Sequence, residues 1–303
     1  MHLSPRQLAV LAALTLIWGC NWPIMKMGVT AFPPLTFRAL SMWLGLPVLW
    51  LVMRLLRVPL AVPRAHWQEL LWLAVTNMLV WHFVTILAVQ FLSSGRAAIL
   101  GYTMPVFSAL WGRALFQQRL SARQLAGVVA AAFGVALLLW HEFASLAGRP
   151  IGAFMMLFAA ATWALGTQQL RRTRMSVPTL AIAFWMTVIA TLAMSVFAVA
   201  VEQPRWRAPD ALVWSAIVFN AVLVFGYAQP AWIYLARALP PIASTLSVMF
   251  VPVLGVASGA LALGEVLHWQ DLAAMALMVA AIASVLWPQR GPLPAAPAGL
   301  QRR

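Results

Sequence analysis

The sequence predicts an all-α integral membrane protein with ten transmembrane helices, arranged as two inverted five-helix repeats around a central cavity. Three observations support this fold class. Hydrophobic residues make up 63% of the 303-residue chain and charged residues only 9%, whereas a soluble domain carries about a quarter charged residues. Apolar runs of about twenty residues, enough to cross about 30 Å of hydrocarbon, recur along the whole chain. Features of the first half also return in the second half at a nearly constant spacing.

The apolar runs define the ten helices, because each run is bounded by Pro, Gly, Arg or Ser. We predict helices over 7–28, 34–53, 67–90, 96–116, 122–141, 150–169, 178–201, 210–234, 241–263 and 269–288. The first run is too long for the apolar region of a signal peptide, so we expect it to be retained as a span. The two repeats are predicted over 1–146 and 147–290, and 291–303 is predicted to be a disordered cytoplasmic tail.

The positive residues set the predicted orientation. With ten spans, 14 of the 20 Lys and Arg residues fall on the side of the amino terminus, five fall on the other side, and Arg38 lies within the second helix. Positive loops face the cytoplasm, so we predict that both termini are cytoplasmic. The net charge of +14 is then explained by topology and anionic lipid headgroups. The bilayer is the expected partner, and no nucleic-acid partner is predicted.

An internal repeat is visible when the segment from Gly101 is placed over the segment from Val248. Pro252 follows Pro105 by 147 residues, and Gly259 follows Gly112 by the same 147 residues. Five helices per repeat is an odd number, so the second copy must enter the membrane from the opposite side. Inverted repeats of this kind place a substrate site near the midplane of many secondary transporters. Chance similarity between the halves remains the alternative.

Polar residues deep in the spans are the candidates for a binding site, because a polar side chain in hydrocarbon is costly. Met78, His82 and Thr85 share one face of the third helix, and the 147-residue offset makes Gln229 the equivalent of His82. We predict these substrate-binding residues: Trp18, Asn21, Asn77, Met78, His82, Tyr102, Trp163, Asn220, Tyr227 and Gln229. Trp18, Tyr102 and Trp163 are expected to offer a stacking surface, and the seven-residue spacing of Asn220 and Tyr227 places them on one face. Hydrogen bonding between helices is the alternative role for the polar members.

Two prolines and one arginine have further predicted roles. Pro105 and Pro252 each remove a helix hydrogen bond in mid-span, so we predict helix breaks or gating there, with a packing kink as the alternative. Arg38 is expected to reach toward the end of its span or to cap backbone carbonyls, although it would also suit an anionic group at the cavity mouth. Every Asp and Glu lies near a span end, which favours neutral or zwitterionic cargo.

Four stretches resemble one transporter family: LIWGCNWPIMKMG, the run from Pro34 to Arg38, SSGRAAILGYTMPVFSAL and LALGEVLHWQDLAAMALMVAA. The chain resembles the drug/metabolite transporter superfamily, in particular the EamA-type two-repeat carriers and the YddG-like exporters of aromatic and other amino acids. The resemblance implies an exporter in the bacterial inner membrane. Two repeats in one chain predict a monomer that works by alternating access, and no cofactor or metal is predicted. Gln118 stands where the family has an acidic residue, so no coupling role is assigned to it.

Other functions remain open at this stage. Export of drugs or of metabolites such as nucleosides is the alternative within the carrier class, and transport is expected to be facilitated diffusion or to be coupled through His82. A membrane enzyme is the more distant alternative. The chain has no HExxH helix, no GxSxG turn, no CxxC and no paired intramembrane aspartates. We therefore predict no catalytic residues.

Overall fold

The computed structural model describes residues 5–144, 150–232 and 241–286. Within these ranges, it describes the backbone alone at 5–7, 141–144, 241–249 and 285–286. All regular structure in these residues is helical. Within the described part of the chain, seven helices are long and apolar enough to cross a membrane, and Phe250–Leu263 and Trp269–Ser284 are shorter apolar helices. The predicted tail 291–303 lies outside the described residues.

The helices follow the predicted runs closely. Their bounds are α1 Pro5–Ala31, α2 Pro34–Leu55, α3 Trp67–Ala74 continuing through Val75–Leu79 into Val80–Ala88, α4a Ser94–Gly101, α4b Met104–Phe116, α5 Ala122–Ala144, α6 Pro150–Leu170, α7 Thr179–Glu202, α8 Ala211–Phe219 continuing into Asn220–Ala228, α9 Pro241–Leu263 and α10 Trp269–Leu286. Short 3₁₀ turns at Arg64–His66 and Gln203–Arg205 precede α3 and follow α7.

The helix starts have ordinary chemical causes. Pro34 opens α2 at a position where its missing N–H is not needed. The Asp210 carboxylate accepts from the Val213 N–H at 2.8 Å and caps α8, and the Ser93 hydroxyl accepts from the Arg96 N–H at the start of α4a. Large apolar side chains cover the outer surface, as expected of a surface in contact with lipid.

The fourth predicted helix is interrupted at Tyr102 and Thr103, which separate α4a from α4b. Pro105 lies in the first turn of α4b, where it cannot donate to residue 101 and its ring would clash with that carbonyl. Pro252 behaves differently, because α9 continues through it from Pro241 to Leu263. The break predicted at Pro252 is therefore wrong, whereas the break predicted near Pro105 is present.

The two halves end their matching helices in the same way. Gln117 after α4b and Gly264 after α9 both have left-handed backbone, with φ of 52° and 64°, and 264 − 117 is again 147. The next N–H in each half, of Gln118 and of Glu265, donates back to the carbonyl of Gly112 at 3.0 Å and of Gly259 at 3.5 Å. Each of these hydrogen bonds joins residues six positions apart, one more than in a Schellman motif, and satisfies a carbonyl near the helix end.

Helix packing follows the same correspondence between the halves. The contact of α1 with α9 is matched by that of α6 with α4b, and the contact of α3 with α6 is matched by that of α8 with α1. Three further contacts, α2 with α7, α4a with α9 and α5 with α10, join equivalent helices to each other. π-Helical turns also occupy matching places, Val75–Leu79 in α3 and Asn220–Ala228 in α8. Such turns are rare and are often found at functional sites.

One end of the bundle is joined by two glutamates, and we call it the capped end. The Glu202 carboxylate accepts from the N–H groups of Leu35 and Thr36 at 3.0 and 2.7 Å, at the start of α2. The Glu265 carboxylate accepts from the N–H groups of Ser94 and Gly95 at 2.6 and 3.2 Å, at the start of α4a. A negative charge at a helix start satisfies free N–H groups and interacts well with the helix dipole.

We expect Gly264→Ala to lower the free energy of unfolding by about 1 kcal/mol, because alanine tolerates left-handed backbone poorly. No neighbouring atom lies within 4 Å of a Cβ built at Gly264, so a steric clash would not contribute. Gln117→Gly should have the opposite sign, since it relieves the same strain in the other half. The unfolding temperatures of both variants in detergent test this, and equal shifts in one direction would contradict the assignment of strain.

Candidate functional site

A cavity of about 50 Å³ lies inside the bundle, between side chains of α1, α2, α3, α4b, α6 and α8 and of Tyr102 just before α4b. Six predicted site residues line it: Trp18, Asn21, His82, Tyr102, Trp163 and Gln229. Seven further lining residues were not among the predicted set: Trp22, Met25, Arg38, Trp81, Thr85, Met104 and Val224. Both halves of the chain therefore contribute to one cavity.

Four tryptophans form an aromatic series along the cavity. The ring of Trp232 lies 5.5 Å from that of Trp18 and 5.9 Å from that of Trp163, and Trp163 lies 6.0 Å from Trp81. These centroid distances are in the range of favourable aromatic pairs. The series presents flat apolar surface from both halves of the chain to the cavity. Trp232 was not among the predicted site residues. The 147-residue offset makes it the equivalent of Thr85, which shares the helix face of His82, so the repeat could have indicated it.

Three of the four remaining predicted residues do not line the cavity themselves, and two of these three contact residues that do. The Asn77 amide oxygen accepts from the Thr167 hydroxyl at 3.3 Å and joins α3 to α6. The Met78 sulfur accepts from the Gln229 amide at 3.4 Å, so Met78 contacts a lining residue. Asn220 likewise accepts from a lining residue, Arg38.

The fourth residue, Tyr227, is half-buried against the core and does not line the cavity. Its predicted face depended on the seven-residue spacing from Asn220. The π-helical turn Asn220–Ala228 changes that geometry, because i→i+5 hydrogen bonding places more residues in each turn. The seven-residue spacing therefore does not by itself place these two residues on one face, and a role for Tyr227 in binding stays a prediction. Tyr234, which continued the same spacing, lies outside the described residues.

Arg38 is the largest correction to the predicted site. Its side chain is 1% exposed, so the expectation that it reaches the end of the span is wrong. The guanidinium donates from Nη1 to the Asn220 oxygen at 3.1 Å and from Nη2 to the Met25 sulfur at 2.7 Å, and it lies 5.6 Å from the centre of the Phe225 ring. Hydrogen bonding to Asn220 directs the side chain inward, although its backbone lies only one turn from the helix start.

The cavity also collects polar atoms that have no hydrogen-bond partner. Among the described side chains, the buried atoms without a partner include Asn21 Oδ1, Arg38 Nε, His82 Nε2 and Thr85 Oγ1, and all four residues line the cavity. Each such atom costs about 1–3 kcal/mol if it stays unsatisfied. Their convergence on one space favours a polar ligand that supplies the missing partners.

The described side chains contain no group of three His, Cys, Asp or Glu residues placed to hold a metal ion. The chemistry available at the cavity is therefore recognition by hydrogen bonds, one buried positive charge and aromatic surface.

A family model decides the classification of the chain. The model described as the EamA-like transporter family matches residues 7–140 and again residues 150–287. The chain belongs to the EamA-like transporter family. The two matches place one copy of the family domain in each half of the chain.

Curated relatives of this EamA-like transporter cover most of its length. It is 29% identical over 280 residues to the uncharacterized inner membrane transporter YedA of Escherichia coli strain K12. This match covers 91% of this chain and 89% of YedA. It is 25% identical over 257 residues to the uncharacterized transporter YoaV of Bacillus subtilis, spanning 84% of this chain and 87% of YoaV. It is 27% identical over 288 residues to a Salmonella typhimurium protein named "Probable amino-acid metabolite efflux pump", spanning 89% and 91%.

A solved crystal structure shares the fold. Its TM-score is 0.69 at 20% identity, and the match covers 92% of this chain and 96% of the other. The family match, the names of the relatives and the apolar helices together identify the chain as a membrane transporter. The names of the family and of the relatives indicate transport rather than catalysis.

We expect Asn220→Ala to lower the free energy of unfolding by about 2 kcal/mol, because it removes the one oxygen acceptor that the described structure gives to the buried Arg38 charge. Ser215→Ala is a matched control on the same helix, since Ser215 is exposed. Thermal unfolding of both variants in detergent measures the difference. Equal unfolding temperatures would show that Asn220 does not stabilise the guanidinium.

Proposed function

We propose that this EamA-like transporter exports neutral and aromatic amino acids across the inner membrane as a secondary transporter. The observation that carries the proposal is the central cavity, where tryptophans from both halves lie beside polar atoms without partners. Apolar surface suits the side chain of such a substrate, and the polar atoms suit its amino and carboxylate groups. The name of the Salmonella relative supports the same substrate class.

Ten spans in two inverted repeats form part of the proposal, with the repeats over 1–146 and 147–290. The matched helix packing and the matched ends of α4b and α9 support it. An odd number of helices per repeat would reverse the second copy and place the cavity between the two. Both termini are then cytoplasmic, because most Lys and Arg residues lie on that side. One chain contains both repeats, so we propose that the monomer transports.

Alternating access is supported by the size of the cavity and by the capped end. At about 50 Å³ the cavity is smaller than the roughly 300–1,000 Å³ of sites that enclose drug-sized ligands. Side chains must therefore move apart before an amino acid can enter. One lining residue, Arg38, follows the α2 start at the capped end by four residues, about one helical turn. We propose that substrate reaches the cavity from the capped end only after the Glu202 and Glu265 contacts separate.

The first experiment measures uptake of radiolabelled amino acids into liposomes that contain the purified protein, with and without an imposed pH gradient. Saturable uptake of neutral amino acids that is indifferent to the gradient indicates facilitated diffusion. Accumulation driven by the gradient indicates coupling, with His82 as the titratable lining residue to test. No uptake by folded protein in either condition would overturn amino acid transport and would favour export of drugs or nucleosides.

Four substitutions test the cavity itself. We expect His82→Ala, Tyr102→Ala, Trp163→Ala and Gln229→Ala each to reduce transport at least tenfold, because each removes a lining side chain. Trp140→Ala is the matched control for Trp163→Ala, since Trp140 is 72% exposed on the outer surface. Initial rates in liposomes, corrected for the amount of folded protein, measure the effect. Wild-type rates in all four variants would place the substrate elsewhere.

A further inference from the structure

We infer that Arg38 binds the carboxylate of the transported molecule, and that the cavity selects an apolar or aromatic body bearing one carboxylate while depending little on its amine. The inference rests on the proposed function, because it names the group by which the same cavity recognises its substrate. It depends on three observations. The charge of Arg38 is buried without a counter-ion, two of its nitrogen atoms donate to no oxygen, and the other side chains that line the cavity include no described carboxylate.

The buried charge is the first observation. The described acidic side chains interact with groups other than Arg38: Glu202 with the start of α2, Glu265 with the start of α4a, Asp210 with the start of α8 and Asp271 with Arg96. Glu69 lies in the first turn of α3, on the outer surface. An uncompensated charge inside a protein is strongly unfavourable. A bound carboxylate would supply the counter-ion that the described side chains do not.

The free atoms of the guanidinium are the second observation. Arg38 Nε has no acceptor, and Nη2 meets only the sulfur of Met25, which is a weak acceptor. Another arginine of the same protein, Arg96, shows how Nε and Nη2 bind a carboxylate. Arg96 donates from Nε and Nη2 to the two oxygens of Asp271 at 2.7 and 3.4 Å. The same edge of Arg38 is open to a two-point contact once Met25 moves aside.

The rest of the wall is the third observation. Asn21 Oδ1 and Thr85 Oγ1 are buried acceptors without partners, and tryptophan faces complete the surface. An ammonium group would meet no described carboxylate on this wall, but amide, hydroxyl, imidazole and aromatic groups, which attract a cation more weakly than a carboxylate does. The cavity is therefore built to hold a carboxylate strongly and an amine weakly.

A role as a brace between helices is the competing explanation, since Arg38 also joins α2 to Asn220 on α8 and to Met25 on α1. Asn220→Asp separates the two roles. A carboxylate at position 220 would pair with Arg38 and hold the helices at least as well as the amide does. It would also neutralise the charge that the substrate needs.

The test uses three probes that differ only in their polar groups: L-phenylalanine, 3-phenylpropanoate without the amine, and L-phenylalaninamide without the carboxylate. Binding to the purified full-length protein is measured by titration calorimetry, and inhibition of L-phenylalanine uptake is measured in liposomes. The variants are Arg38→Gln, Asn220→Asp and the control Arg54→Gln, which makes the same change at an exposed site on α2.

For the wild type we expect L-phenylalanine and 3-phenylpropanoate, the two probes with a carboxylate, to have affinities within tenfold of each other. L-phenylalaninamide should bind at least tenfold more weakly than either. Arg38→Gln should weaken both carboxylates at least tenfold and leave the amide unchanged. Asn220→Asp should do the same while keeping the wild-type unfolding temperature or raising it, which a brace alone would not explain. Arg54→Gln should change none of these affinities.

The outcomes separate the inference from the proposed function. If L-phenylalanine is transported but the amide binds equally well, or if both variants keep carboxylate affinity, the inference is overturned and amino acid transport stands. If no amino acid is transported but 3-phenylpropanoate binds and loses affinity in both variants, the carboxylate site stands and the proposed substrate is wrong. If neither carboxylate binds the folded wild-type protein, the inference is overturned.

Discussion

A polar group inside an apolar bundle must find its partner within the protein, and this constraint organises the whole structure. At the capped end, the free N–H groups of two helix starts are satisfied by Glu202 and Glu265, which lie in the other half of the chain. Deeper in the bundle, Asn77 and Gln168 make interhelical hydrogen bonds. Several partnerless atoms instead converge on the cavity, which distinguishes this space from the packing around it.

Much of the fold could be predicted from hydropathy, because the length of an apolar run is set by the thickness of the bilayer. The 147-residue offset was equally informative about the site, since it linked His82 to Gln229, and both line the cavity. Helical spacing also accounts for two lining residues that were not predicted. Trp22 and Met25 follow the predicted residues Trp18 and Asn21 by four positions, which places them on the same face of α1.

Other features depend on tertiary contacts that hydropathy does not report. The direction of the Arg38 side chain is set by Asn220, 182 residues away, and nothing near Arg38 in the sequence reveals that contact. The π-helical turns in α3 and α8 are equally hidden, because no residue type marks them, and the turn in α8 changes the spacing on which the predicted face of Tyr227 depended. The effect of a proline is also not evident from the sequence. The helix is interrupted next to Pro105, whereas α9 continues through the equivalent Pro252.

The contacts at the capped end are unequally shared between the halves. All six hydrogen bonds to Glu202 and Glu265 have their donors in α2 and α4a of the first half and their acceptors in the second half. At the position equivalent to Glu265, the first half carries the neutral Gln118. In the proposed alternating-access cycle, opening the two ends of the bundle would therefore break different contacts and cross different activation barriers. A carrier of that kind moves its substrate at different maximal speeds in the two directions, while the equilibrium distribution across the membrane is unaffected by the protein.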